Sequence, residues 1–247
     1  MLEELATQAF WLGLLKIIGV NIILSGDNAV VIALAARSLP AKQQKQAVFW
    51  GAGAAVILRI LLTIFAVALL TLPWLKIVGS LLLFWIGVKL LIPEDDDENI
   101  QASDQLLAAI KTILIADLVM SLDNVIAVAA AAGGSYILLI LGLAISIPLV
   151  IFGATLLIKL MERFPVIITI GAGLIGWVAG EMLVADRALT GWFTSMGMAY
   201  KDDRPYLNGW SLELIAGIVG IVIVVAVGKW LAARHEAPAA EAGAPKP

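Results

Sequence analysis

The chain of 247 residues contains no cysteine and one histidine, His235, close to its C-terminus. Without thiols it forms no disulfides, no thiolate metal sites and no cysteine-held iron–sulfur clusters. With its one imidazole in the tail, histidine acid–base chemistry inside an apolar segment is excluded as well. Charge is scarce: 14% of the residues are charged, against about 25% in soluble domains. The net charge of −3 offers no basic surface to nucleic acid. A glycine loop for phosphate is also missing. The stretches Gly51-Ala52-Gly53-Ala54-Ala55 and Gly171-Ala172-Gly173 lie within apolar runs with no strand before them, so they read as helix-packing faces. No nucleophile–base pair is visible, and no enzyme activity is expected. The start Met1-Leu2-Glu3-Glu4 carries acids where a secretory signal carries a basic region, so no cleaved signal peptide is expected.

What is present is apolar mass: 62% of residues are hydrophobic and the mean hydropathy is +1.01. A single soluble domain runs at about 45–50% apolar, so the excess must face lipid. Seven long apolar runs stand at roughly 10–36, 47–71, 74–92, 106–132, 135–158, 165–185 and 211–232. They are continuous rather than alternating, which predicts helices and not barrel strands. Residues 93–105 form an acidic loop and 186–210 an aromatic-rich interfacial loop. Residues 211–234 hold the last span, and the Ala/Pro-rich tail 235–247 reads as disordered. With the N-terminus outside, ten lysines and arginines fall on the inner side and four on the outer. The positive-inside bias then predicts an N-out, C-in protein of a bacterial plasma membrane.

Self-similarity is the strongest feature. Asn21-Ile-Ile-Leu-Ser25-Gly-Asp27-Asn28 in span one matches Asp117-Leu-Val-Met-Ser121-Leu-Asp123-Asn124 in span four at an offset of 96. Span three pairs with span six at an offset of 92, matching Gly79 to Gly171 and Trp85 to Trp177, with Lys89 opposite Glu181. Three helices is an odd number, so the second copy enters the membrane from the other side. The expectation is an all-α membrane protein of seven transmembrane helices: a 3+3 inverted-topology repeat (residues 1–92 and 106–185) plus one helix.

Inside this apolar frame Asp27, Asp117 and Asp123 are conspicuous, because a carboxylate at mid-membrane costs about 2.5–3.5 kcal/mol. Asn21, Ser25 and Asn28 stand at i, i+4 and i+7 and share a stripe, as do Asp117, Ser121 and Asn124. Asp27 and Asp123 stand about 100° further round. Either the helix opens near Ser25-Gly26 so that all groups converge, or the aspartates address another span. The available donors are carboxylate, amide and hydroxyl oxygens, which suit hard cations such as Mn²⁺, Mg²⁺ or Ca²⁺; sodium or a proton also fits. Glu181 is placed to complete the site or an outer gate, and Arg59 in span two needs an anionic partner. Lys89 is expected to snorkel from the inner end of span three.

These residues resemble the TerC family of integral membrane proteins, in its short bacterial, YjbE-like branch. The resemblance rests on Asn21-x5-Asp27-Asn28, Asp117-x5-Asp123-Asn124 and Leu58-Arg59-Ile60, and it covers roughly residues 8–186. It implies a fold related to the LysE-type exporters and Mn²⁺ export or other metal-ion homeostasis, and it carries the family's intramembrane acids onto Asp27, Asp117 and Asp123. Asn21 stands where some relatives carry an acid, which lowers the charge of the site. The expected function is a secondary transporter exporting a divalent metal, Mn²⁺ foremost. The metal residues are Asp27, Asn28, Asp117, Asp123, Asn124 and Asn21, supported by Ser25, Ser121, Glu181 and Arg59. Mn²⁺ is then the transported substrate, with no permanently bound cofactor, and the partners are the lipid bilayer and the ion. The alternatives are a LysE-like exporter of small organic solutes, or a non-transporting membrane assembly or stress-resistance factor.

Overall fold

A computed structural model describes residues 8–24, 26–65, 72–93, 102–133, 135–201 and 204–242, apart from the side chains of residues 8, 9, 23, 24, 102, 123, 126 and 236–242. The apolar runs become helices, the only way a single segment can satisfy its backbone groups internally in lipid. In chain order they are α1 (Gln8–Leu24), α2 (Gly26–Ala36), α3 (Ala41–Ile64), α4 (Leu75–Lys89), α5 (Ala102–Ala132), α6 (Tyr136–Arg163) and α7 (Val166–Val184). A 3₁₀ turn (Arg187–Leu189), α8 (Thr190–Ser195), three short strands and α9 (Leu212–Ala242) follow.

Among the described residues, five helices are long and apolar enough to cross a membrane, and α1 with α2, bent by 49°, makes a sixth candidate. The seventh expected crossing, span three, is the 15-residue α4. At 1.5 Å per residue it is about 22 Å long, short of the roughly 30 Å hydrocarbon core. Many large apolar side chains point outward, among them Trp11, Phe49, Trp50 and Phe152. That arrangement is stable only against lipid.

The helices form two compact units, and these cut across the sequence halves. Residues 1–92 and 106–185 do not pack as separate bodies. Instead Met1–Leu72 joins Gln101–Arg163, and Pro73–Ile100 joins Phe164–Pro247. The reason lies in the helix faces. In the first unit α3 lies on α5, and α1 and α2 lie on α6, so each helix finds its main neighbour in the other half of the chain. Ile17, Val128, Ala131, Ala132, Leu139 and Leu143 form the core where α1, α5 and α6 meet. Gly51 faces Ile113 on α5, where a methyl group would come within 2.8 Å of that side chain, whereas Gly53 faces open space. Only part of the glycine stretch in α3 is therefore a packing face.

In the second unit α7 packs on α4 and most extensively on α9. Gly176 and Gly180 on α7 meet Ala216, Gly217 and Gly220 on α9 so closely that a methyl group at Gly180 would strike the Ala216 carbonyl. Small residues allow this backbone-to-backbone approach in a membrane helix pair. The loop expected at 186–210 holds an element not foreseen from the sequence, a three-stranded antiparallel sheet: β1 (Ala199–Lys201), β2 (Arg204–Leu207) and β3 (Trp210–Ser211). Asn208 (φ 51°) and Gly209 (φ 85°) turn β2 into β3, as the left-handed residues of a two-residue hairpin do. The last helix runs on to Ala242, into the segment expected to be disordered; alanine is the strongest helix former, and this stretch is rich in it. The acidic run of the expected 93–105 loop lies largely outside the described residues.

One residue organises the second unit. Asp186 follows α7, is 3% exposed, and caps the 3₁₀ turn by accepting from Ala188 N at 2.8 Å. It also accepts from Trp74 N at 3.1 Å, Lys76 N at 3.0 Å and Ile77 N at 3.2 Å. Those N–H groups sit at the start of α4, where no intrahelical acceptor exists. Trp74 has φ 70°, a left-handed conformation that is strained for a bulky residue, and the carboxylate helps to hold it there. Burial by itself would raise the Asp186 carboxyl. The four backbone donors, Ala188, Trp74, Ile77 and Lys76, outweigh it and hold the group below the usual carboxylate range.

Candidate functional site

The site begins where the first span breaks. Helix α1 ends at Leu24 and α2 starts at Gly26, whereas α5 runs unbroken through Ser121, Leu122, Asp123 and Asn124. The two copies of the motif therefore differ: the glycine-bearing copy opens, and the copy with Leu122 in that place stays helical. The break gives α2 a free N-terminus, whose positive end favours an acid in its first turn. Asp27 is that acid. It is half-buried, and its Oδ1 accepts from the Asn28 backbone N at 2.8 Å, satisfying one of the donors a helix start leaves without a partner.

Four of the expected residues come together in the first unit. Arg59 on α3 is 4% exposed, Asp117 on α5 5%, Asn21 on α1 1% and Ser121 on α5 0%. Arg59 Nη2 donates to Asp117 Oδ1 at 2.7 Å, Nη1 to Asn21 Oδ1 at 2.7 Å and Nε to Ser121 Oγ at 3.0 Å. Ser121 Oγ in turn donates to Asp117 Oδ2 at 3.2 Å. The guanidinium fork thus gathers one carboxylate, one amide and one hydroxyl oxygen from two further helices. The i, i+4 spacing of Asp117 and Ser121 on an unbroken helix is what lets the serine bridge. The anionic partner that Arg59 requires in an apolar bundle is Asp117, paired at 2.7 Å.

The others are placed differently. Asn28 on α2 is 4% exposed, and its side-chain Nδ2 and Oδ1 have no hydrogen-bond partner among the described residues. A buried amide left this way is costly, on the order of 1–3 kcal/mol. Asn124, one turn beyond Ser121, is half-buried. Glu181 lies on α7 in the second unit. Ser25 and the Asp123 side chain lie outside the described residues. Among the described residues no three His, Cys, Asp or Glu side chains gather in a way that could hold a metal ion; the donors near Asp117 are one carboxylate, an amide and a hydroxyl. Beside the break a cavity of about 150 Å³ is lined by Asn21, Gly26, Ala29, Ser146 and Gly153, among others. It has room for several water molecules next to a cluster residue. The sequence reading missed Asp186, whose capping role is signalled only by an acid directly after an apolar run.

The sequence model described as the integral membrane protein TerC family matches residues 6–236. Three proteins of Bacillus subtilis (strain 168), each described as an uncharacterized membrane protein, are similar to the chain. YjbE is 46% identical over 181 residues, 73% of this chain and 83% of its own length. YkoY is 27% identical over 191 residues, 68% of this chain and 58% of its own length. YceF is 28% identical over 174 residues, 65% of this chain and 66% of its own length. No solved structure matches the chain. A family match that runs through both copies of the motif, α9 and the buried arginine cluster, together with the YjbE identity, places the chain: it belongs to the TerC family of integral membrane proteins.

Proposed function

We propose that the protein is a secondary transporter that exports a hard divalent cation, Mn²⁺ foremost, from the cytoplasm through a carboxylate and amide site at mid-membrane. The observation that carries this reading is the cluster of Asn21, Arg59, Asp117 and Ser121, at most 5% exposed in a largely apolar bundle. Ionisable groups are retained at such depth chiefly where ions or protons pass. All the acceptors are oxygen, the donor class of hard cations. The 49° bend between α1 and α2 stands beside Asn21 of this cluster, as discontinuous helices do at transporter sites. Asn28 offers an amide that no described protein group uses.

The architecture we propose is a seven-span, 3+3 inverted repeat with the N-terminus outside, in a bacterial plasma membrane. Its support is the pattern of helix pairs. Exchange the first three spans with the second three, and the set is unchanged: span one on five becomes four on two, while one on four, two on five and three on six map onto themselves. Rearrangement of the helix pairs that the two repeats share would then expose the site alternately, driven by an ion gradient or the membrane potential. A solute exporter of the LysE type would need Arg59 to receive a carboxylate, and that arginine is already committed to three acceptors among the described residues.

The test is Mn²⁺ efflux from loaded proteoliposomes, wild type against Asp123→Ala. The expected result is Mn²⁺-dependent flux in the wild type and its loss in the variant. No flux in the wild type would sink the transport reading. Asp27→Asn and Asp123→Asn variants that keep full function at normal protein levels would favour an assembly or stress-resistance role instead.

A further inference from the structure

We propose that Arg59 is the site's own counter-cation: its guanidinium occupies Asp117 while no metal is bound, and an arriving cation must displace it. The inference rests on the transport reading above and deepens it. Its basis is what the guanidinium binds. Nη2, Nη1 and Nε each take an oxygen of a different chemical type, from Asp117, Asn21 and Ser121, at 2.7 to 3.0 Å. A carboxylate, an amide and a hydroxyl oxygen converging on one positive charge is the set that a hard divalent ion takes. Both Asp117 oxygens are committed, Oδ1 to Arg59 and Oδ2 to Ser121. A metal ion therefore cannot use this carboxylate without displacing a donor. Asn28, whose amide oxygen the arginine does not hold and no described residue occupies, stays available throughout.

The position of Arg59 ties occupancy to helix arrangement. It stands on α3 and grips α1 through Asn21 and α5 through Asp117 and Ser121. Displacing it removes its polar ties to both partner helices at once. A cation that competes for these oxygens thus has a differential interaction with the gripped and released arrangements, which is what a ligand needs to shift a conformational equilibrium. When the ion leaves, the arginine re-forms the pair, so the unloaded carrier does not move with a bare carboxylate in its apolar interior.

The experiment separates net efflux from exchange in Mn²⁺ proteoliposomes. Net efflux requires the unloaded carrier to return; exchange of radioactive Mn²⁺, with equal Mn²⁺ on both faces, does not. In Arg59→Met, net efflux should fall at least about tenfold further than exchange does. Mn²⁺ should bind this variant about tenfold more tightly in detergent, because a charge-assisted competitor has gone. Arg59→Lys keeps the charge but not the three-way fork, so it should retain net efflux and still bind Mn²⁺ more tightly than the wild type. Exchange and net efflux falling together in a folded Arg59→Met protein would overturn the role given to Arg59. Mn²⁺ binding in Arg59→Lys no tighter than in the wild type would do so even if the methionine variant does not fold. Absence of both fluxes in the wild type would instead overturn the transport reading, and this inference with it.

Discussion

Asn28 carries a buried amide whose two polar atoms have no partner among the described residues, a cost that no described protein contact offsets. Replacing it by leucine removes a desolvation penalty of about 1–3 kcal/mol without opening a large cavity. Asn28→Leu should therefore melt no lower than the wild type in detergent, while Mn²⁺ efflux is lost. A variant that melts lower and transports normally would mark Asn28 as structural. At this scale the sequence was partly legible. Depth and rarity picked out Arg59 and Asp117, and the i, i+4 spacing foretold the Ser121–Asp117 contact. The reach of Arg59 to Asn21 depends on how two non-adjacent helices cross, and no local pattern encodes that.

Among the elements, the break between α1 and α2 was legible as one of two alternatives, an opening near Ser25-Gly26. The β2–β3 hairpin carried its own signal in Asn208-Gly209, hidden because the surrounding strands are only two to four residues long. Asp186 was not legible as an organiser, since its partners at the start of α4 lie more than a hundred residues away in the chain. Its folded-state carboxyl lies below the ordinary value, near 3.9 in an unfolded chain. The stability it contributes is thus complete above about pH 4 and fades as the pH falls through the lowered folded value. Asp186→Asn loses the charge and sets an amide N–H against backbone donors. Its melting temperature should lie below that of the wild type at pH 7, and the gap should narrow toward pH 3. A gap of constant or growing size would contradict the capping role.

For the whole molecule, composition settled the class: a chain that is 62% hydrophobic finds no soluble solution, and family membership bears this out. The partition into two units was not legible, because repeats are read along the chain whereas packing faces pair helices from different halves. The first unit of the proposed carrier is built from two unequal halves, spans one and two against spans four and five. If its two halves were chemically identical, exchanging their conformations would convert the inward-open state into an outward-open state of the same energy. The halves are not identical. Arg59 stands in the second span, whereas the corresponding fifth span carries no charged residue from Tyr136 to Ile158. In the proposed carrier this difference would lift the degeneracy and leave the unloaded molecule with one mouth preferred. Half-saturation by Mn²⁺ should accordingly differ between the two faces of uniformly oriented vesicles, and equal values would mean that a single arginine leaves the carrier without a resting side.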